Sequence, residues 1–207
     1  MIPRLLVVTD RRMLACEALA EALEALFASR PETAVGVFHR ESDLPDRAAL
    51  REIRRLVKAC RAHRGRGVVL VRARPDLALA AGADGVHLQA GGLPPTEIRR
   101  RWPHLILGYS AHGIAEVRGV ANDVDYITFS PVYSSPGKGR SVGIAALGRA
   151  CRAAGGTPVL ALGGITTTGR ARACARVGAH GVAVIRAVLG AGDPAAAGAA
   201  LLDAVEF

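Results

Sequence analysis

The sequence predicts an α/β protein folded as a single (β/α)8 TIM barrel over residues 1–207, and three observations predict it. Short apolar runs alternate with longer helical patterns from one end of the chain to the other. The runs are continuously apolar, as strands buried on both faces of a parallel sheet are. Eight such strand–helix units fill the 207 residues, the number that closes into a barrel, and leave little room for a second domain. A doubly wound open sheet is the alternative.

The first unit is Leu5-Leu6-Val7-Val8 with a helix over about residues 13–29, and the second is Ala34-Val35-Gly36-Val37-Phe38 with a helix over about 46–63. Gly67-Val68-Val69-Leu70-Val71 precedes a short helix near 75–81, and Asp84-Gly85-Val86-His87-Leu88 precedes one that starts near Pro95. Leu105-Ile106-Leu107-Gly108-Tyr109 leads to a helix over 114–121, and Val124-Asp125-Tyr126-Ile127-Thr128-Phe129 to one over about 144–154. Pro158-Val159-Leu160-Ala161-Leu162 is followed by a helix over about 166–177. Gly181-Val182-Ala183-Val184-Ile185 is the eighth strand, before a last helix over about 194–205.

Composition narrows the function classes. Half of the residues are hydrophobic and 4% aromatic, which suits close packing of Ala, Val and Leu and excludes a disordered chain. No apolar run approaches the roughly 18 to 20 residues of a membrane span, and the first residues lack the layout of a secretory signal, so a cytoplasmic protein is expected. Cys16, Cys60, Cys151 and Cys174 are widely separated in helical stretches, a pattern of small buried thiols without metal-ligand or disulfide spacing. The net charge of +9 is almost entirely arginine, Lys58 and Lys138 being the only lysines. Arg51, Arg54, Arg55 and Arg61 fall at helical spacing without interleaved aromatics, the pattern of a solvated helix face, so no specific nucleic-acid partner is expected. The oligomeric state, a homo-oligomer included, stays open.

In a (β/α)8 barrel functional groups sit just after the strands, and phosphate commonly binds between loops seven and eight. After strand seven stands Ala161-Leu162-Gly163-Gly164-Ile165-Thr166, and after strand eight Ile185-Arg186-Ala187. Paired glycines let backbone N–H groups approach an anion closely. The sixth loop, Ser130-Pro131-Val132-Tyr133-Ser134-Ser135-Pro136-Gly137-Lys138-Gly139-Arg140, is polar and cationic, and Lys138 suits a point charge on phosphate.

These motifs carry a resemblance to a family. Ala161-Leu162-Gly163-Gly164-Ile165, Gly82-Ala83-Asp84-Gly85-Val86-His87-Leu88, Leu107-Gly108-Tyr109-Ser110-Ala111-His112 and Pro131-Val132-Tyr133 with Lys138 resemble thiamine phosphate synthases and TenI proteins, from about Val8 to Val188. The resemblance implies a link to thiamine biosynthesis and a thiazole-phosphate site at Ser135, Lys138, Gly163, Gly164, Ile185 and Arg186. The synthase pattern carries Asn-Asp-Arg after strand three and an Asp after the fourth-strand motif, for magnesium. Here those positions read Arg72-Ala73-Arg74 and Gly92, so no Mg2+ and no other cofactor is expected. The family's Gln-x-Arg-x-Lys after strand two reads Phe38-His39-Arg40-Glu41-Ser42, keeping only Arg40, and Arg72 supplies a further cation.

Within that resemblance the stretch from Leu93 to Leu105 is closer to the TenI branch, which implies a metal-independent tautomerase acting on a phosphorylated thiazole. The TenI histidine position is Pro131, which cannot carry a proton, so His112 and His87 are the candidate proton carriers, with Lys138 beside them. Arg40, Arg72, Ser110, Ser135, Gly163, Gly164, Ile185 and Arg186 are the other candidate binding residues. A divergent thiamine phosphate synthase is the alternative enzyme, and a non-catalytic phosphate-ligand binder the alternative of another class.

Overall fold

A computed structural model of the chain describes residues 1–64, 66–135 and 139–206. The elements run β1 (Leu5–Val8), α1 (Cys16–Ser29), β2 (Val35–His39), α2 (Asp46–Arg61), β3 (Val68–Arg72), α3 (Pro75–Ala81), β4 (Gly85–Gln89), α4 (Pro95–Arg101) and β5 (Ile106–Ala111). They continue with α5 (Ile114–Val120), β6 (Tyr126–Phe129), α6 (Ile144–Ala153), β7 (Val159–Leu162), α7 (Thr168–Arg176), β8 (Gly181–Val184), α8 (Arg186–Leu189) and α9 (Pro194–Asp203). The strands pair in sequence order as a closed barrel, all parallel, and β8 returns to β1 with Leu5 opposite Val182. The fold is the eight-stranded barrel expected from the sequence, not the open sheet.

Strand alternation divides the core in two. Leu6 and Val8 of β1, Phe38 of β2, Val68 and Leu70 of β3, Tyr126 of β6 and Leu160 of β7 pack inside the barrel. Leu5, Val7, Val37, Val69 and Val71 face outward and join the helices in the larger apolar layer. Both faces of every strand are therefore buried, which is why the sequence shows continuous apolar runs. In α2, Ala49, Ile53, Leu56 and Cys60 form the buried stripe, while Arg51, Arg54, Arg55 and Arg61 lie on the exposed face.

Several boundaries differ from expectation for local reasons. Helix α1 starts at Cys16 because residues 10–13 make a turn, with Met13 N–H donating to the Asp10 carbonyl at 2.9 Å. Strand β6 starts at Tyr126 because the Asp125 carboxylate accepts the Leu107 N–H at 2.7 Å. Asp84 does the same for the Val69 N–H at 2.7 Å, so both acids belong to the N-terminal end of the barrel. The short α8 has no counterpart in the sequence reading.

Cys16, Cys60 and Cys174 are buried and Cys151 is half-buried, all of them free thiols on helices. Burial pushes the Cys16, Cys60 and Cys174 thiols up to about 12, so they stay protonated at neutral pH. Among the described residues no helix is long and apolar enough to cross a membrane.

Candidate active site

The same alternation that sends Val69 and Val71 outward sends Leu70 and then Arg72 inward, toward the mouth of the barrel. Phe38 and Arg40, His87 and Gln89, Ser110 and His112, and Thr128 and Ser130 follow the same parity on their own strands and loops, and together they line one cavity of about 240 Å3. An alcove of about 50 Å3 opens from it, sharing Ser135, Leu162, Gly163 and Ile185 and adding Gly164, Thr166 and Arg186.

The alcove is built by loop six lying along the end of β7. Val132 N–H donates to the Leu162 carbonyl at 2.9 Å and Tyr133 N–H to the Gly163 carbonyl at 3.0 Å. Gly163 and Gly164 have φ of 100° and 63°. A Cβ on Gly163 would sit 2.8 Å from the Pro131 Cα, and one on Gly164 would sit 2.5 Å from the Ser134 carbonyl oxygen. Glycine is required there by conformation and by the close approach of loop six. Arg170 of α7 donates from Nη1 to the Gly164 carbonyl at 2.6 Å and lies 4.7 Å over the Tyr133 ring. The carbonyls are thus taken up by protein donors. Among the described residues no acceptor takes the N–H groups of Gly163, Gly164 or Ile165. Arg186 reaches across the alcove and donates from Nη2 to Ser135 Oγ at 2.9 Å.

The opposite end of the cavity holds Arg40 and Arg72. Arg72 donates to Ser42 Oγ at 3.3 Å and to Gln89 Oε1 at 3.2 Å, both neutral groups. Arg40 has one distant carboxylate partner, Asp10, at 3.5 Å. Asp10 is chiefly engaged by Arg12, which holds its carboxyl below the usual range.

Between the two ends lies a buried polar chain. Tyr126 is fully buried, and its Oη is 2.6 Å from His87 Nδ1. His87 Nε2 is 2.9 Å from Ser110 Oγ and 3.3 Å from Thr128 Oγ1. Burial lowers the His87 pKa to about 3 and raises that of Tyr126 well above its ordinary value, so both are neutral at pH 7. A buried phenol needs an acceptor for its proton, so Tyr126 donates to Nδ1, and Nε2–H is left to donate to Ser110. The Ser110 hydroxyl keeps its own proton to donate into the cavity. His112, more exposed, donates from Nδ1 to the Ser130 carbonyl at 2.9 Å, which places its acceptor lone pair on Nε2.

The structure brings together Arg40, Arg72, His87, Ser110, His112, Ser135, Gly163, Gly164, Ile185 and Arg186, while Lys138 lies outside the described residues. Sequence reasoning missed Gln89, Thr128, Ser130 and the supporting Tyr126. Strand parity, applied within each apolar run and carried one residue past it, would have found the first three. His39 points outward, 3.0 Å from Glu52 of α2.

The fit to magnesium can be tested at the positions the resemblance implies. Ala73 and Gly92 offer no side-chain oxygen, and the acids of the neighbouring loops, Asp46 and Asp76, are both bound by Arg74. These residues do not fit a hard divalent cation.

Residues 5–188 match the sequence model of the TMP-TENI family, described as thiamine monophosphate synthase. The chain is 43% identical over 172 residues to the thiamine-phosphate synthase of Anaeromyxobacter dehalogenans, covering 81% of this chain and 75% of that one. It is 36% identical over 203 residues to the thiamine-phosphate synthase of Roseiflexus castenholzii, covering 95% and 86%. The solved structure of thiamine phosphate pyrophosphorylase from Pyrococcus furiosus superposes with a TM-score of 0.84 at 30% identity, over 98% of this chain and 95% of that one.

Proposed function

This chain belongs to the thiamine monophosphate synthase family, and we propose that it is a divergent thiamine phosphate synthase, joining a pyrimidine pyrophosphate to a thiazole phosphate. The observation that carries the reading is a single cavity with anion-holding groups at both ends, the glycine alcove and the Arg40–Arg72 pair. A joining reaction that expels pyrophosphate needs positive charge where the leaving group departs and a separate anchor for the other partner's phosphate. The names of the relatives support the same reaction.

In this reading the thiazole phosphate takes the free N–H groups of Gly163 and Gly164, the Ser135 hydroxyl and the Arg186 guanidinium. Lys138 of the sixth loop adds its point charge. Arg40 and Arg72 hold the pyrophosphate. Ser110 donates a directed hydrogen bond to the substrate between them, and His87 positions that hydroxyl. His112, exposed at the mouth, offers Nε2 as a proton acceptor.

The TenI-like tautomerase expected from the sequence is less well supported than the synthase, on two grounds. The relatives described above carry synthase names. At the tautomerase's proton-carrying position the cavity wall is Pro131, which has no titratable atom.

The test is to incubate the protein with pyrimidine pyrophosphate and thiazole phosphate and to follow thiamine phosphate and released pyrophosphate. Both should appear in equal amounts. Binding of thiazole phosphate without product would make the protein a non-catalytic binder. Isomerisation of a thiazole carboxylate phosphate alone would restore the tautomerase.

A further inference from the structure

We infer that the pyrophosphate end of this cavity is neutralised by guanidinium groups in place of a divalent cation, an inference that rests on the joining reaction proposed above. Ala73 stands where the resemblance implies a carboxylate. Its φ of 44° lies in the left-handed region, which Asp and Asn tolerate and Ala rarely enters. The backbone there keeps a turn suited to a carboxylate residue while the side chain is only a methyl. At Gly92 a Cβ would meet one atom, the Gln89 carbonyl oxygen at 3.2 Å, so a side chain there needs only a small shift of that turn.

The charge beside these positions is cationic. Arg72 is held in place by Ser42 and Gln89, and among the described residues no carboxylate pairs with it. Arg74, two residues on, is fully offset by Asp46 and Asp76. The contrast matters, because of these two arginines it is Arg72 that brings an uncompensated planar fork to the cavity wall, the geometry that matches phosphate oxygens two at a time. Arg40 adds a second guanidinium whose one carboxylate is already engaged by Arg12. Two carboxylates and one divalent cation sum to zero charge, and one guanidinium alone sums to plus one. The exchange therefore leaves the site comparably able to stabilise an anion. A dication placed between two guanidinium groups would meet repulsion, and among the described residues no carboxylate lines the cavity to hold it.

The experiment is calorimetric titration of the full chain with inorganic pyrophosphate, in EDTA and in excess Mg2+. Pyrophosphate should bind in EDTA, and Mg2+ should not tighten binding by more than about two-fold. Arg72→Gln should weaken metal-free binding by at least about ten-fold, and Arg72→Lys should recover part of the loss, with melting temperatures confirming the fold. The triple variant Arg72→Asn, Ala73→Asp, Gly92→Asp should make binding depend on Mg2+. Binding seen only with Mg2+, or unchanged in Arg72→Gln, would overturn the inference. Metal-free pyrophosphate binding without formation of thiamine phosphate leaves this inference standing and sinks the joining reaction. Thiamine phosphate formed only with Mg2+ does the reverse.

Discussion

Tyr126 has no atom in contact with solvent, yet it decides which way the Ser110 hydroxyl points. Tyr126→Phe removes the donor to His87 Nδ1 and leaves a buried acceptor unpaired, at a cost of about 1–3 kcal/mol. The imidazole is then free to exchange tautomers, and Ser110 loses its fixed role. Expected outcomes are a lowered melting temperature, a changed His87 nitrogen shift pattern by NMR, and substrate affinity reduced more than stability alone explains. An unchanged His87 tautomer would refute the chain of donors. Lys138 is a residue-scale expectation of another kind, since it rests on sequence. Lys138→Ala removes a charge-assisted hydrogen bond of about 1.5–3 kcal/mol, or roughly ten- to 150-fold in thiazole-phosphate affinity, while the melting temperature holds. Unchanged affinity would exclude Lys138 from the phosphate site.

The turn between β7 and α7 shows how one element serves fold and site together. Gly164→Ala places a methyl group in a left-handed residue and against the Ser134 carbonyl and the Tyr133 Cβ, 2.5 and 2.7 Å away. The turn, loop six and the Arg170 clamp must shift together, so a loss of about 1–3 kcal/mol by urea unfolding should accompany a loss of phosphate affinity. Gly155 is the control at the N-terminal end of the barrel, with φ of 60° and nothing within 4 Å of an added Cβ. Gly155→Ala should cost about 1 kcal/mol for conformation and leave affinity untouched. Equal affinity losses in both variants would mean that the effect is global rather than local to the alcove.

At the scale of the whole molecule, the buried His87 and the half-buried His180 shape stability against pH. Burial lowers the His87 pKa from 6.5 to about 3 and lowers that of His180 in the same direction. Below about pH 6.5 the unfolded chain takes up protons at these residues that the folded chain refuses, so stability rises with pH in this range. The contribution is fully present above that value and is lost as pH falls toward the folded pKa. Each such histidine adds a slope of up to about 1.4 kcal/mol per pH unit. Urea unfolding at pH 5, 6, 7 and 8 should show falling stability below about pH 6.5 with little change from these groups above pH 7. A flat profile down to pH 5 would mean that His87 is hydrated and charged in the folded protein.

By itself the sequence determined the strand–helix order, the solvated arginine face of α2 and the end of the barrel on which every candidate residue would lie. These properties depend on hydrophobic period and connection order, which are local and repeat along the chain. It also exposed the loss of the carboxylates at Ala73 and Gly92, because that is a matter of residue identity. The tertiary structure alone decided that His87 is a sealed, neutral support while His112 opens to the cavity. It alone decided that Arg74 is neutralised and Arg72 is not, although the two are two residues apart. Desolvation, ion pairing and hydrogen bonding depend on what stands within a few ångströms across space, and the partners concerned, such as Tyr126 for His87 and Asp46 for Arg74, come from other turns of the barrel.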